Sequence, residues 1–329
     1  MTGPLQQRRR RRRGGARLAF LLLLLAPLVV VVAGYESLVR DDGRGPYRAP
    51  LEVIGDNAPA QLEPGGSLEP RSLAPIRLTG VDAFRLSFRR PPAAALVFDL
   101  DSGDVLYRHR PLRVAPMASL TKIMTALVVS DDTEPAERVL ITKAALQYSG
   151  SGVGSLPEGR HVRLETLLNG LLIVSGNDAA IALATHVSGD ERRFVNLMNE
   201  KARLWGLRCT RFVSSHGLEN GNRSCPSDLA VLARLAMRKD RIRRIARRSQ
   251  ASFRFPIKGG RLYLAGHNPL IRAGYPGALG LKTGYTRAAG RCFVGVARRG
   301  GRTLGVVLLN SSDPDVQAPK LLDLGFRYG

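Results

Sequence analysis

Three short strings in the chain could do chemistry. Ser119-Leu120-Thr121-Lys122 sets a hydroxyl and an amine three residues apart, and on a helix positions i and i+3 share one face. Near a helix N-terminus the backbone dipole also favours an anion developing on the hydroxyl oxygen. A serine needs a base to attack a carbonyl, and a lysine can be that base only when burial or neighbouring cations depress its pKa. Ile123, Met124, Ala126, Leu127, Val128 and Val129 leave this helix little polar face, so Lys122 is expected to be buried, where a charge is expensive to hold. Ser175-Gly176-Asn177 stands between two apolar helical stretches. Its residue types suit a turn and a helix cap, and equally a second hydroxyl that relays a proton and an amide that holds a substrate backbone. Lys282-Thr283-Gly284, followed by Tyr285 and then a strand, offers a fixed positive charge, a hydroxyl for a carboxylate and a glycine that a substrate backbone can approach closely. By chance Ser-x-x-Lys arises about 0.4 times at this composition and Lys-Thr-Gly about 0.03 times, so the third string is the most specific.

The elements that must position these residues can be read from periodicity and turn chemistry. AAALVFDLDSGDVLYRHR is expected to be a β-hairpin turning at Ser102-Gly103, and CFVGVARR with RTLGVVLLN a second one turning at Gly300-Gly301, both in one sheet. Between them lie helices at MASLTKIMTALVVS, VRLETLLNGLLIV, DAAIALATHV, ERRFVNLMNEKARLWG and SDLAVLARLAMRKDRIRRIARR, the last capped by Ser227 and Asp228. No second globular domain and no internal repeat follows.

The N-terminus sets the compartment. Arg8 to Arg13 and Arg17 precede the uncharged run Leu18–Gly34, the order of a secretory signal or a membrane anchor. That run is short for a full span, and Val31-Val32-Ala33 offers a cleavage site, so residues 1–34 fit either a cleaved signal or a retained anchor. Residues 35–90, rich in Pro and Gly, read as a linker, and residues 91–329 as the catalytic domain. Export agrees with the cysteines: Cys209 and Cys225 flank a turn-rich loop that a disulfide would close, whereas Cys292 sits in an apolar strand as a small buried side chain. The 50 Lys and Arg against 27 Asp and Glu are not confined to the leader, since residues 91–329 alone hold 35 against 19. A surface of that sign favours anionic neighbours.

The order Ser-x-x-Lys, Ser-x-Asn, Lys-Thr-Gly resembles the penicillin-recognising serine peptidases and β-lactamases. The strings PMASLTKIMTALV, LLNGLLIVSGNDAAIALA, RCTRFVSSHGLENG and GLKTGYTRAAGRCFVGVARR look like the D-alanyl-D-alanine carboxypeptidases of the S11 peptidase family, over roughly residues 91–312. The resemblance implies an α/β (α+β) fold of the β-lactamase/transpeptidase type, an antiparallel sheet packed with helices plus a helical subdomain, with the active site between them. It implies that Ser119 is acylated by the penultimate D-alanine of a peptidoglycan stem peptide, that Lys122 takes the serine proton, that Ser175 passes it on and that Asn177 orients the donor. The N–H groups of Ser119 and Tyr285 would form the oxyanion hole, and Lys282 with Thr283 would hold the terminal carboxylate. β-Lactams would be covalent inhibitors by the same route. No metal or cofactor is required. Well-known members carry a C-terminal β-rich domain and an amphipathic anchor, which this sequence does not show, so anchoring to the outer face of the membrane is expected from the N-terminal segment if it stays uncleaved.

Competing readings are narrower. A class A β-lactamase needs a deacylating Glu after the Ser-x-Asn string, and the nearest candidate, Glu165 with Asn169, comes before it. His109, His161, His186, His216 and His267 are scattered, without a nucleophile elbow to suggest a Ser-His-Asp triad. A D,D-endopeptidase acting on cross-linked muropeptides would use identical parts. From a different class, a basic binding protein would dock the helix from Arg238 to Arg248 on anionic lipid or wall polymer; export argues against nucleic acid.

Overall fold

The computed structural model describes residues 75–329. The cationic leader with its apolar run, and residues 35–74 of the expected linker, lie outside the described residues.

Asp99 starts the first hairpin turn by accepting the N–H groups of Asp101 and Ser102 at 2.9 and 3.0 Å, and Gly103 completes it at φ +80°, a conformation that glycine adopts without strain. The turn joins β1 (Ala94–Asp99) to β2 (Val105–His109). The second hairpin joins β10 (Gly290–Arg299) to β11 (Arg302–Ser311) through Gly300 and Gly301, at φ +54° and +81°, as a tight two-residue turn demands. Both lie in one antiparallel sheet of order β2-β1-β11-β10-β9, with β9 (Ala278–Thr286) at the edge. Every residue of β1 is buried, because helices cover both faces of the sheet.

On one face stand α1 (Lys122–Asp132), α3 (Leu164–Ile173), α4 (Asn177–Ser188) and α6 (Pro226–Arg238), sharing a core with Leu96, Phe98, Val294 and Val307. Also on the chain between the hairpins are α2 (Lys143–Leu146), α5 (Glu191–Leu204), α7 (Asp240–Ala246) and α8 (Pro269–Arg272). Three small ribbons brace them: β3 (Ala115–Pro116) with β6 (Arg223–Ser224), β4 (Arg138–Leu140) with β5 (His161–Arg163), and β7 (Gln250–Arg254) with β8 (Arg261–Ala265). On the other face α9 (Pro314–Tyr328) buries Leu321 and Leu322 against Val97, Val306 and Leu308.

Several elements depart from the sequence expectation. Ser119 sits in a 3-10 turn (Ala118–Thr121) ahead of α1, not within an α-helix. The Arg-rich helix is two helices: Lys239 leaves helical geometry at φ −80°, ψ 108°, and its ammonium reaches Asp131 at 2.5 Å. This lets Leu229 and Leu232 of α6 and Ile242 and Ile245 of α7 bury separate faces. Pro226 takes the first helical position of α6, so Asp228 is no cap; its carboxylate accepts from Cys209 N and Thr210 Oγ1 at 2.7 and 2.8 Å. Part of the expected linker is packed: Asp82 pairs with Arg108 at 2.6 Å and Phe84 stacks on Tyr107 at 5.4 Å. The alternation Phe84, Leu86, Phe88 is a strand-like signal that the surrounding Pro and Gly obscure. Among the described residues no helix is long and apolar enough to cross a membrane.

Candidate active site

Ala118 holds φ +49° and opens the 3-10 turn. In a 3-10 turn positions i and i+3 eclipse, which aligns Ser119 with Lys122 more closely than an α-helix would. Lys122 Nζ lies 3.1 Å from Ser119 Oγ and also contacts Asn177 Oδ1 and the His216 carbonyl oxygen, each at 2.7 Å. The side chain is fully buried. Burial, reinforced by the Lys282 cation, holds its pKa well below the ordinary lysine value against the opposing pull of Asp178 and Glu219. A neutral amine has two hydrogens and one lone pair. The two shorter contacts take the hydrogens, which leaves the lone pair facing the serine hydroxyl.

The Ser175-Gly176-Asn177 string is both the turn and the polar group that its residue types allow. Ser175 is buried at φ +63° between α3 and α4, a backbone conformation that costs a non-glycine residue roughly 1 kcal/mol or more. Asn177 opens α4, and its amide bridges two segments, accepting from Lys122 and donating Nδ2–H to the Ser149 carbonyl at 2.6 Å. Both ends of the amide are thus engaged within the protein, which makes it a holder of Lys122 first. Behind it the Asp178 carboxylate accepts the N–H groups of Val153 and Gly154 at 2.8 and 3.0 Å, tying down the loop that carries Ser151.

Lys282-Thr283-Gly284 stands before the expected strand, β10, and lies itself within the edge strand β9. Lys282 is fully buried and donates to the Thr283 carbonyl at 2.8 Å; burial pushes its pKa down to about 7. A Cβ on Gly284 would stand 3.0 Å from Ser119 N and 3.1 Å from Met117 O. The glycine therefore lets β9 press against the Ser119 turn, a closeness within the protein where the sequence suggested closeness to a substrate. Tyr285 stays at the rim, 66% exposed. Ser119, Ser175, Thr283, Gly284 and Tyr285 line one cavity of about 250 Å³ together with Ser151. A larger cavity of about 460 Å³ beyond Ser149 and His216 is rimmed by Asp190, Glu191 and Glu219 but holds none of these groups.

Sequence reasoning missed the His216 carbonyl as a partner of Lys122, and the Ser149 and Asp178 supports. The signal for His216 was the glycine after it: Gly217 has φ +87°, and a Cβ there would come within 2.6 Å of Thr121 Oγ1. The His216 ring points away, its Nδ1 accepting from Leu218 N at 3.3 Å. Glu165 is engaged by Arg241 at 2.8 Å, and Asn169 accepts from Arg248 at 2.7 Å, so both are tied into the fold. Cys209 and Cys225 are bonded, with Cα atoms 5.5 Å apart, and Cys292 is buried, its thiol pKa raised to about 11 by burial.

A buried serine–lysine pair at the junction of a helical face and the edge of an antiparallel sheet, faced by a Lys-Thr-Gly strand, defines the penicillin-recognising class of serine peptidases. Residues 91–313 match the model of the S11 peptidases, described as D-alanyl-D-alanine carboxypeptidase. The chain belongs to that family. It is 38% identical over 245 residues to the D-alanyl-D-alanine carboxypeptidase DacB2 of Mycobacterium tuberculosis, covering 72% of this chain and 82% of that protein. It is 33% identical over 243 residues to DacF of Bacillus subtilis, covering 71% of this chain but 61% of DacF, less than two thirds of that relative's length. A solved D-alanyl-D-alanine carboxypeptidase structure from Mycobacterium tuberculosis superposes with a TM-score of 0.69 at 33% identity, covering 80% of this chain and 97% of that one.

Proposed function

We propose that the protein is an extracytoplasmic serine D-Ala-D-Ala carboxypeptidase that trims peptidoglycan stem peptides. The observation that carries the reading is the buried Lys122 amine 3.1 Å from Ser119 Oγ, with its two other contacts fixed. Ser119 Oγ attacks the carbonyl carbon of the penultimate D-alanine while its proton passes to Lys122. The oxyanion forms against the N–H groups of Ser119 and Tyr285, on the two segments that Gly284 allows to meet. Lys282 and Thr283 hold the terminal carboxylate. As the C–N bond breaks, Ser175, in the same cavity, delivers the proton from Lys122 to the departing D-alanine amine. Water then attacks the ester, returning the proton to Ser119 and releasing the shortened peptide.

The edge position of β9 supports this pose, because an unpaired strand edge can hydrogen-bond an extended peptide. The Cys209–Cys225 bond supports an oxidising compartment. The leader would deliver the domain there as a cleaved signal or hold it to the membrane as an anchor. Labelled penicillin is expected to attach covalently, and Ser119→Ala to abolish labelling; retained labelling in that variant would sink the assignment. Release of free D-alanine from a pentapeptide, without loss of cross-linked dimers, separates this activity from an endopeptidase.

A further inference from the structure

From Arg241 to Ser312 the chain carries 15 Lys and Arg and no Asp or Glu. An even spread of the 19 acidic residues of positions 91–329 would place about six of them in that stretch. Some of these cations serve the fold, as Arg241 does with Glu165 and Arg299 with Asp323. Among the described residues, the cations on the β7–β8 ribbon meet no carboxylate. The ribbon turns Leu262 and Leu264 inward, while Ser252, Arg254, Arg261 and Tyr263 face solvent. Arg254 pairs directly with Arg261 across the strands, an arrangement of like charges that destabilises a ribbon. Among the described residues Arg261 bonds the Ser252 hydroxyl, at 2.7 Å, and Tyr263 is 73% exposed.

The face leads somewhere. Arg261, Tyr263 and Ala265 occupy one side of β8, and two residues past the end of the strand comes His267, which lines the cavity holding Ser119. At about 3.3 Å per residue β8 runs about 13 Å from Arg261 to Ala265, and His267 lies two residues past its end, so Arg261 stands beyond the reach of a D-Ala-D-Ala terminus. We propose that the outer face of the β7–β8 ribbon is an extended subsite for the polymeric substrate, its Arg254 and Arg261 pairing with free carboxylates of stem peptides neighbouring the one being cleaved. This rests on the activity proposed above. Guanidinium forks suit carboxylates, and the ribbon is continuous with the cavity that takes the stem terminus. A lipid surface fits less well, because Tyr263 is the one large apolar side chain on this face and interfacial binding needs a broad apolar one.

The test uses the full chain and Arg254→Glu/Arg261→Glu, two exposed positions. Purified wall sacculi stripped of phosphodiester polymers should sediment the wild type in a salt-sensitive manner, and the variant should bind about tenfold more weakly. Amidating the sacculus carboxylates should abolish wild-type binding. Pentapeptide hydrolysis and penicillin labelling should change less than about twofold in the variant. Equal binding by variant and wild type overturns the subsite, as does undiminished binding to amidated sacculi. Binding confined to unstripped sacculi would assign the face to phosphate groups, and binding confined to anionic phospholipid vesicles would assign it to lipid; either overturns the proposal. A parallel loss of pentapeptide hydrolysis in the variant would show a fault in the active site and overturn it too. A wild type that hydrolyses no pentapeptide and takes no penicillin yet sediments as described would defeat the activity and leave the anion-binding face standing.

Discussion

Lys122 on the helical wall of the cleft and Lys282 on the strand wall are both withdrawn from water, but their surroundings differ. The helical wall surrounds its amine with the Ser119 hydroxyl, the Asn177 amide oxygen and the His216 carbonyl, each on a different element. The strand wall gives Lys282 one partner, the carbonyl of its own neighbour Thr283. A buried amine with three fixed neighbours is positioned to exchange a proton in one direction. A buried amine with one is under-satisfied, which is the state expected of a group whose counter-charge arrives with a ligand. On the activity proposed above, the comparison would place proton transfer on one wall and anion recognition on the other, and it can be broken.

The largest effect is expected at Lys122. Lys122→Met should lower the rate of acylation by penicillin and of D-alanine release by about a thousandfold or more, with little change in KM, as loss of a base does. Lys282→Met should act mainly through KM, raising it for peptides with a free terminal carboxylate by about 10- to 100-fold and sparing substrates whose carboxylate is amidated. Equal effects on both substrates would erase the division between the walls.

A third expectation follows from protonation. With Lys282 titrating at about 7, kcat/KM, which reports the free enzyme, should fall as pH rises through that value and the cation is lost. Lys282→Arg should remove this limb. Stability should move the opposite way. Above about 7 the folded chain holds Lys282 neutral while the unfolded chain keeps it charged up to the ordinary lysine pKa, so stability rises with pH across that window. The Tm advantage of Lys282→Met over the wild type should accordingly be absent near pH 10, grow as pH falls to 7 and level off below. The smallest effect on activity is expected at the disulfide: Cys209→Ser/Cys225→Ser opens a loop of 16 residues' separation and should lower stability by about 3 kcal/mol while leaving D-alanine release near that of the wild type.

How legible the molecule was in its sequence depended on whether a feature is local. Both hairpins declare themselves through paired turn residues and apolar strands, and the apolar run after Ser119 announces the burial of Lys122. The rarity of Lys-Thr-Gly against a common Ser-x-x-Lys ranked the strings before any coordinates. What could not be read is set by tertiary contact. Ala118 carries no side-chain signal for a left-handed φ, and the break at Lys239 comes where its ammonium meets Asp131, a residue more than 100 positions away. The carbonyl of His216 is a backbone atom, invisible to any search for chemical side chains. Helix α9 was not anticipated; it holds Pro314 in its first turn, where proline is well tolerated, and Pro319 in its interior.

The pairing of β1 with β11, in which Ala94 meets Leu309, also bears on assembly. The centre of the sheet joins the start and the end of the catalytic region, and contacts so distant along the chain form slowly because their loop-closure entropy comes before their reward. The β1–β2 hairpin, the helices and the β9–β10–β11 meander are each local in sequence and can form early, and the two parts of the sheet meet only where β1 pairs with β11. A chain interrupted before β11 would therefore carry the Ser119 turn without a complete sheet to face it.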